Sequence, residues 1–320
     1  MRKIMHKIKK SSCIVCVIVL VLCTCTNVKA HGDEGDDLSG GETFYINSLG
    51  LRLSESEYNE LLLYTNEYVI DLMSEEEYSY IKNDIDTCFE SSEVKYVKST
   101  YNESDNEILQ EEYMTENEML ESINNKNVST YALSDRTDTV ITEMKRIVMQ
   151  MVNVNASSKT VQLTCEWISI PKVKSYDIIA FRFTDTAVTI DTYFTSNIIG
   201  KQYYDDSEIT YNYDSNNIKY LDNGLGVSMN IVDSTKKSLA CTFKTRFLTP
   251  TKTDETDTEV RPFFVYGSYQ HAVANVTLSE SQDYTLHYWG LGHVIYFDNE
   301  MVKKYDETPG LEVFGSINDE

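Results

Sequence analysis

Histidine, serine and cysteine are the side chains that most often combine into a nucleophile and its base, so their spacing is the first test for an enzyme. Beyond residue 30 the chain carries histidine only as His31, His271, His287 and His293. Ser268 and His271 come nearest to a serine–histidine pair, but residues three apart on a strand point to opposite faces. Cys241 with His287 would make a cysteine nucleophile. Cys241 alternates with Leu239 and Phe243, however, and a thiol on such an apolar face is inert. No Gly-x-Ser-x-Gly elbow occurs. His287 and His293 flank Gly290-Leu-Gly292 and, with Asp298, outline a zinc-like set, although ordinary hairpin residues account for the same spacing. No catalytic residue is assigned.

Carboxylates and tyrosines carry the remaining chemistry. Tyr203-Tyr-Asp-Asp-Ser-Glu208 offers Asp205, Asp206 and Glu208, joined by Asp214, a set of hard oxygen ligands that suits calcium. A glycosidase pair cannot be picked from so many acids, because separation in space defines it. The chain holds 23 tyrosines against 2 tryptophans, and Tyr203, Tyr204, Tyr211, Tyr213 and Tyr220 cluster among Asp and Asn. Each ring pairs an apolar body with a polar tip, which suits a sugar or peptide surface. The same residues also serve as plain strand formers. The first four, with the loop 203–222, form the candidate ligand surface.

These side chains must be held by strands. Val161, Leu163, Cys165 and Trp167 alternate with Gln162, Thr164 and Glu166, and Ile179, Phe181 and Phe183 alternate with Ala180 and Arg182. Pro171 separates the two runs. Further strand-like runs lie at 141–151, 187–195, 208–214, 225–232, 238–248, 260–277, 283–289 and 293–298. Turn residues such as Asp222-Asn-Gly224 stand between them. About ten short strands at this spacing over 131–320 predict a mainly β chain with an antiparallel, jelly-roll-like β-sandwich as its C-terminal domain. Ahead of it, Ser54-Glu-Ser-Glu57 and Ser74-Glu-Glu-Glu77 are capping boxes in a weak 20-residue repeat, so 45–83 is expected to be a small α-helical N-terminal unit. Residues 84–130 read as a polar linker and 31–44 as a disordered acidic leader.

Residues 1–30 have the layout of a secretory signal peptide. A basic start (Arg2, Lys3, Lys7, Lys9, Lys10) precedes the apolar run Cys13–Cys23, and Val28-Lys-Ala30 is the cleavage site. No other apolar stretch is long enough to span a bilayer. The expected location is outside the cell. Cleavage removes six basic residues and no acid, which takes the net charge from −23 to −29. Such a field disfavours nucleic acid and anionic membranes as partners. Three cysteines remain, too few for a disulfide scaffold. Cys165 and Cys241 both point inward. They are expected either to pack as free thiols or, if they face each other across two sheets, to bond.

Several motifs resemble a family of secreted proteins from low-GC Gram-positive bacteria for which no activity is established. They are Gly50-Leu-Arg-Leu-Ser-Glu-Ser-Glu-Tyr58, Met73-Ser-Glu-Glu-Glu-Tyr78, Glu166-Trp167, Ile170-Pro171, Lys174-Ser-Tyr-Asp177, Gly267-Ser-Tyr-Gln-His-Ala272, Val276-Thr-Leu278, Gly290-Leu-Gly292 and Tyr305-Asp306. Lys174 departs from the arginine expected there. The resemblance implies export and a two-part layout, and no activity.

The expectation is therefore a secreted, non-enzymatic binding or interaction protein of the cell envelope or extracellular space, with a glycan or protein ligand. One alternative is an extracellular hydrolase of envelope or glycan polymers. Another is a calcium-stabilised structural surface protein. No cofactor other than calcium is indicated.

Overall fold

The computed structural model describes residues 43–102, 107–125, 140–155, 157–184, 188–192, 197–204, 207–211, 216–221, 223–231, 238–249, 261–287, 294–298, 300–308 and 310–317. The signal segment and nearly all of the acidic leader lie outside them. The chain separates into two units that divide between Met73 and Ser74.

One asparagine organises the first unit. β1 (Phe44–Ile46) and β2 (Arg52–Ser54) pair antiparallel, and α1 (Glu55–Leu61) and α2 (Glu67–Asp71) follow. Asn47 Oδ1 accepts from the amides of Leu49 and Leu51 at 3.0 and 2.8 Å, while its Nδ2 donates to the carbonyls of Ile70 and Met73 at 2.8 and 2.7 Å. Gly50 turns the hairpin at φ 82°, a conformation glycine adopts without steric cost. Ser54 and Glu57 form the expected capping box, with the amide of Ser54 donating to Glu57 Oε2 at 2.7 Å.

The second unit begins with α3 (Glu75–Ile81), α4 (Ile85–Cys88), β3 (Phe89–Asn102), β4 (Ile108–Met114) and α5 (Glu116–Asn125). There follow β5 (Val140–Asn155), β6 (Ser158–Trp167), β7 (Tyr176–Phe183), β8 (Thr189–Ile190), β9 (Ile198–Tyr204), β10 (Ser207–Tyr211), β11 (Ile218–Leu221) and β12 (Gly224–Asn230). The chain closes with β13 (Leu239–Leu248), β14 (Arg261–Gln270), α6 (Leu278–Ser281), β15 (Tyr284–Leu286), β16 (Ile295–Phe297) and β17 (Leu311–Ile317). The described chain is mainly β, in large antiparallel sheets. An eight-stranded sheet runs β10-β9-β13-β6-β5-β3-β4, with β8 also on β13, and a five-stranded sheet runs β11-β12-β7-β14-β17.

Side chains of both sheets meet in one apolar cluster. Ile147, Met149, Leu163, Cys165 and Phe243 come from the larger sheet, and Ile179, Phe181, Val227, Val265 and Val313 from the smaller. Phe181 stacks on Phe243 at 5.5 Å between centroids. Gly267 leaves room where the sheets meet, since a Cβ there would lie 2.6 Å from Met149 Sδ and 2.9 Å from Leu163 Cδ1. The other face of the smaller sheet is covered by a second cluster that includes Ile178, Ala180, Tyr266, Tyr284, Ile295 and Tyr305.

Three expectations are corrected. The helical unit over 45–83 is divided: β1, β2, α1 and α2 belong to the first unit, and α3 to the second. Three-residue strands are too short to show a period. The linker over 84–130 instead supplies β3 and β4, with β3 paired to β5 from Phe89↔Val152 to Asn102↔Val140. Ser92 and Val94 are exposed while Val97, Ser99 and Tyr101 are buried, so a half-solvated strand reads as polar linker. Beyond the strand-like runs read from the sequence, the stretch from Leu311 adds an edge strand, β17, with Leu311 and Val313 buried. Finally, the alternating partners Gln162 and Thr164 are buried too. Thr164 Oγ1 lies 2.7 Å from Thr242 Oγ1, and Gln162 Nε2 donates to Thr242 Oγ1 at 3.1 Å. Polar side chains tolerate burial when they satisfy one another.

Candidate functional site

The described residues of the candidate surface at 203–222 are largely strand. Tyr203 and Tyr204 sit on β9, which is hydrogen-bonded to β10 on one side and β13 on the other, and both rings are buried. Tyr204 Oη donates to Gln202 Oε1 at 2.7 Å. A strand flanked on both edges and covered on both faces cannot present its tyrosines to a ligand, which corrects that part of the expected surface. Tyr211 and Glu208 lie on β10. Tyr213, Asp205, Asp206 and Asp214 fall outside the described residues. Among the described residues, no three His, Cys, Asp or Glu are grouped to hold a metal ion. His287 is exposed beside Tyr296, with ring centroids 5.7 Å apart, and His293 lies outside the described residues.

Among the described tyrosines of that cluster, Tyr220 is at the surface, at 51% exposure. It stands on β11, the edge strand of the smaller sheet, and helps line a groove of about 800 Å³ with Lys219, Glu280, Gln282 and Asp283. The groove's other wall is α6. Thr277 caps that helix: its Oγ1 accepts from the Glu280 amide at 3.3 Å, and Glu280 Oε2 accepts from the Thr277 amide at 2.8 Å. Lys219 Nζ crosses beneath, donating to the carbonyls of Gln282 and Tyr284 at 2.7 and 2.5 Å. Gln282 Nε2 reaches back to the Asn216 carbonyl at 2.5 Å. Lys304 pairs with Glu280 at 2.7 Å and, with the cap, holds its carboxyl down to about 2. The walls of the groove are therefore stitched together.

A second constellation lies inside the unit. His271 Nδ1 is 2.9 Å from Asp177 Oδ1, and Tyr269 Oη donates to Asp177 Oδ2. Trp167 Nε1 donates to Tyr269 Oη at 3.1 Å, and the Ala272 amide donates to Asp177 at 2.9 Å. His271 Nε2 lies 3.7 Å from Glu143 Oε2. Lys145 Nζ bonds Asp306, which also accepts from the His271 amide at 2.8 Å and from Thr308 Oγ1 at 3.2 Å. Burial alone would drive the proton off His271, but the carboxylates of Asp177, Glu143 and Asp306 outweigh it and hold the pKa above the ordinary value. Lys145 is likewise opposed by burial and held above its ordinary value, chiefly by Asp306. Burial, then the charge of Asp177, pushes Tyr269 far up.

His271 thus meets Asp177 and not Ser268. Ser268 sits opposite Ala180 in register, and its Oγ has no partner among the described residues. Asp177, Glu143, Lys145, His271 and Asp306 are all buried. This arrangement fixes the ends of β5, β7 and β14 to the 305–308 segment. Sequence reasoning missed it because members such as Lys145 and Asp306 lie 161 residues apart. The cap at Thr277-Leu-Ser-Glu280, by contrast, carries the same signal as the two caps read at 54 and 74.

Cys165 and Cys241 are in register on neighbouring strands of one sheet, not across two sheets, and both are free and buried. Burial pushes both thiols well up.

The chain matches no protein-family model, and no curated protein is significantly similar to it. Among the described residues, no helix is long and apolar enough to cross a membrane.

Proposed function

We propose that the protein is an exported, non-enzymatic binding module whose second unit is a two-sheet sandwich and whose ligand is a glycan held in the groove beside β11. The observation that carries this reading is Tyr220, half exposed on an edge strand and one of the residues that line the groove with Lys219, Glu280, Gln282 and Asp283. An exposed ring offers a sugar its apolar face, while amide and carboxylate neighbours take the hydroxyls. The single apolar cluster shared by the two sheets supports the sandwich. Export is supported by the basic start, apolar run and small-residue cleavage site of residues 1–30.

The test is retention of the mature chain, residues 31–320, on purified cell walls and a glycan array, beside Tyr220→Ala. Retention that survives moderate salt and is lost in Tyr220→Ala is expected. No retention of the parent, or equal retention of the variant, overturns the groove as a glycan site. N-terminal sequencing of protein from the culture medium should begin at His31; a start at Met1 would refute cleavage.

A further inference from the structure

We propose that the second unit holds a separate, half-open site for one small uncharged polyhydroxy molecule, of the size of a single sugar, formed by Asn197, Arg246, Lys244, Glu76, Glu77 and Thr160. These residues line a cavity of about 210 Å³. That is below the ~300–1,000 Å³ of pockets for drug-sized ligands, so its occupant is small.

The charges there already balance. Lys244 Nζ is 2.6 Å from Glu77, and Arg246 makes two bonds to Glu76 at 2.8 and 3.0 Å. Asp191 adds a further carboxylate 3.7 Å from Arg246 Nε. A site with two cations and three carboxylates gives an anion nothing to neutralise. Two donors are nonetheless left over. Asn197 is 5% exposed, and its Nδ2 has no hydrogen-bond partner among the described residues; the same holds for Arg246 Nε. A buried donor without an acceptor is costly, and such groups normally have a partner. The missing chemistry is an uncharged acceptor. A hydroxyl supplies it and can also donate to the carboxylates of Glu76 and Glu77. The site faces the outer side of the larger sheet, whereas the groove at Tyr220 lies along the smaller one, so the two are independent.

Titration calorimetry on the mature chain tests this with glucose, N-acetylglucosamine and inositol as probes, against inorganic phosphate and acetate. Saturable binding of a neutral probe is expected in the parent and in Tyr220→Ala. Asn197→Leu should weaken it about tenfold, or ~1.4 kcal/mol, with the circular dichroism spectrum and melting temperature unchanged. Should Asn197→Leu fail to fold, Arg246→Lys keeps the charge opposite Glu76 but removes Nε, and the same loss is expected. Binding that needs Tyr220, equal affinity in the Asn197 and Arg246 variants, a preference for phosphate or acetate, or no saturable binding of any neutral probe would each overturn the proposal.

Discussion

Replacing Lys145 with Met is expected to destabilise the second unit by about 3–5 kcal/mol, the range for breaking a buried ion pair from one side. Lys145 and Asp306 are each about 1% exposed, so water cannot take over when the ammonium is lost. Asp306 would keep the His271 amide at 2.8 Å and the Thr308 hydroxyl at 3.2 Å, and it would stand as a buried carboxylate without its cation. Methionine conserves most of the volume against Trp167 and Tyr269, whose rings lie 5.3 and 5.5 Å from Lys145 Nζ, so the loss is electrostatic rather than a cavity. The partner change Asp306→Asn keeps an acceptor for both donors and removes the charge. The double variant Lys145→Met/Asp306→Asn should therefore recover most of the loss, because exchanging a whole buried pair for neutral groups is often close to neutral. Urea unfolding followed by Trp167 fluorescence reads both. With m of ~1–3 kcal/mol/M the single variant should move the midpoint by about 1–5 M, and the double should sit well back toward the parent. The four-membered cycle then gives the coupling directly. A single variant within about 1 kcal/mol of the parent, or a double no better than the sum of its singles, would refute the argument that this pair is desolvated and mutually dependent.

Two further predictions follow from the buried titratable groups. Burial, then the charge of Asp306, pushes Glu111 up to about 7, so the folded state keeps its proton where the unfolded chain releases it at about 4.5. Its contribution should therefore lower stability as pH rises from about 4.5 to 7 and stay level above that. Melting temperatures across this window should lose that decline in Glu111→Gln, and parallel curves for variant and parent would refute it. Cys165 and Cys241, buried and in register, should not react with a thiol reagent in the native protein and should appear with Cys88 as three free thiols in urea. Fast labelling of the native protein, or one free thiol in the unreduced denatured chain, would contradict this.

Local signals were the legible ones. Ser54–Glu57 and Ser74–Glu77 cap helices because the reciprocal bonds span only three residues. The same pattern at Thr115–Glu118 and Thr277–Glu280 makes the same bonds and was there to be read. Val161 to Trp167 and Ile179 to Phe183 alternate strongly enough to mark core strands. Three-residue strands such as β1 and β2, and the half-solvated β3, carry too little period to be told from helix or loop.

By itself, then, the sequence determined that the C-terminal part is strand-rich, which alternating residues point into its core, and where three-residue caps start helices. These are contacts between near neighbours, written in spacing. Only the tertiary structure decided which polar residues end inside. It buried Tyr203 and Tyr204 between β10 and β13, left Tyr220 on an edge, and set Cys165 beside Cys241 in one sheet. It also gathered Lys145, Asp177, His271 and Asp306 from distant segments, and set Asn197 and Arg246 on the lining of one cavity. Burial and partnership depend on sheet order and strand neighbours, and neither is encoded in the period of any one strand.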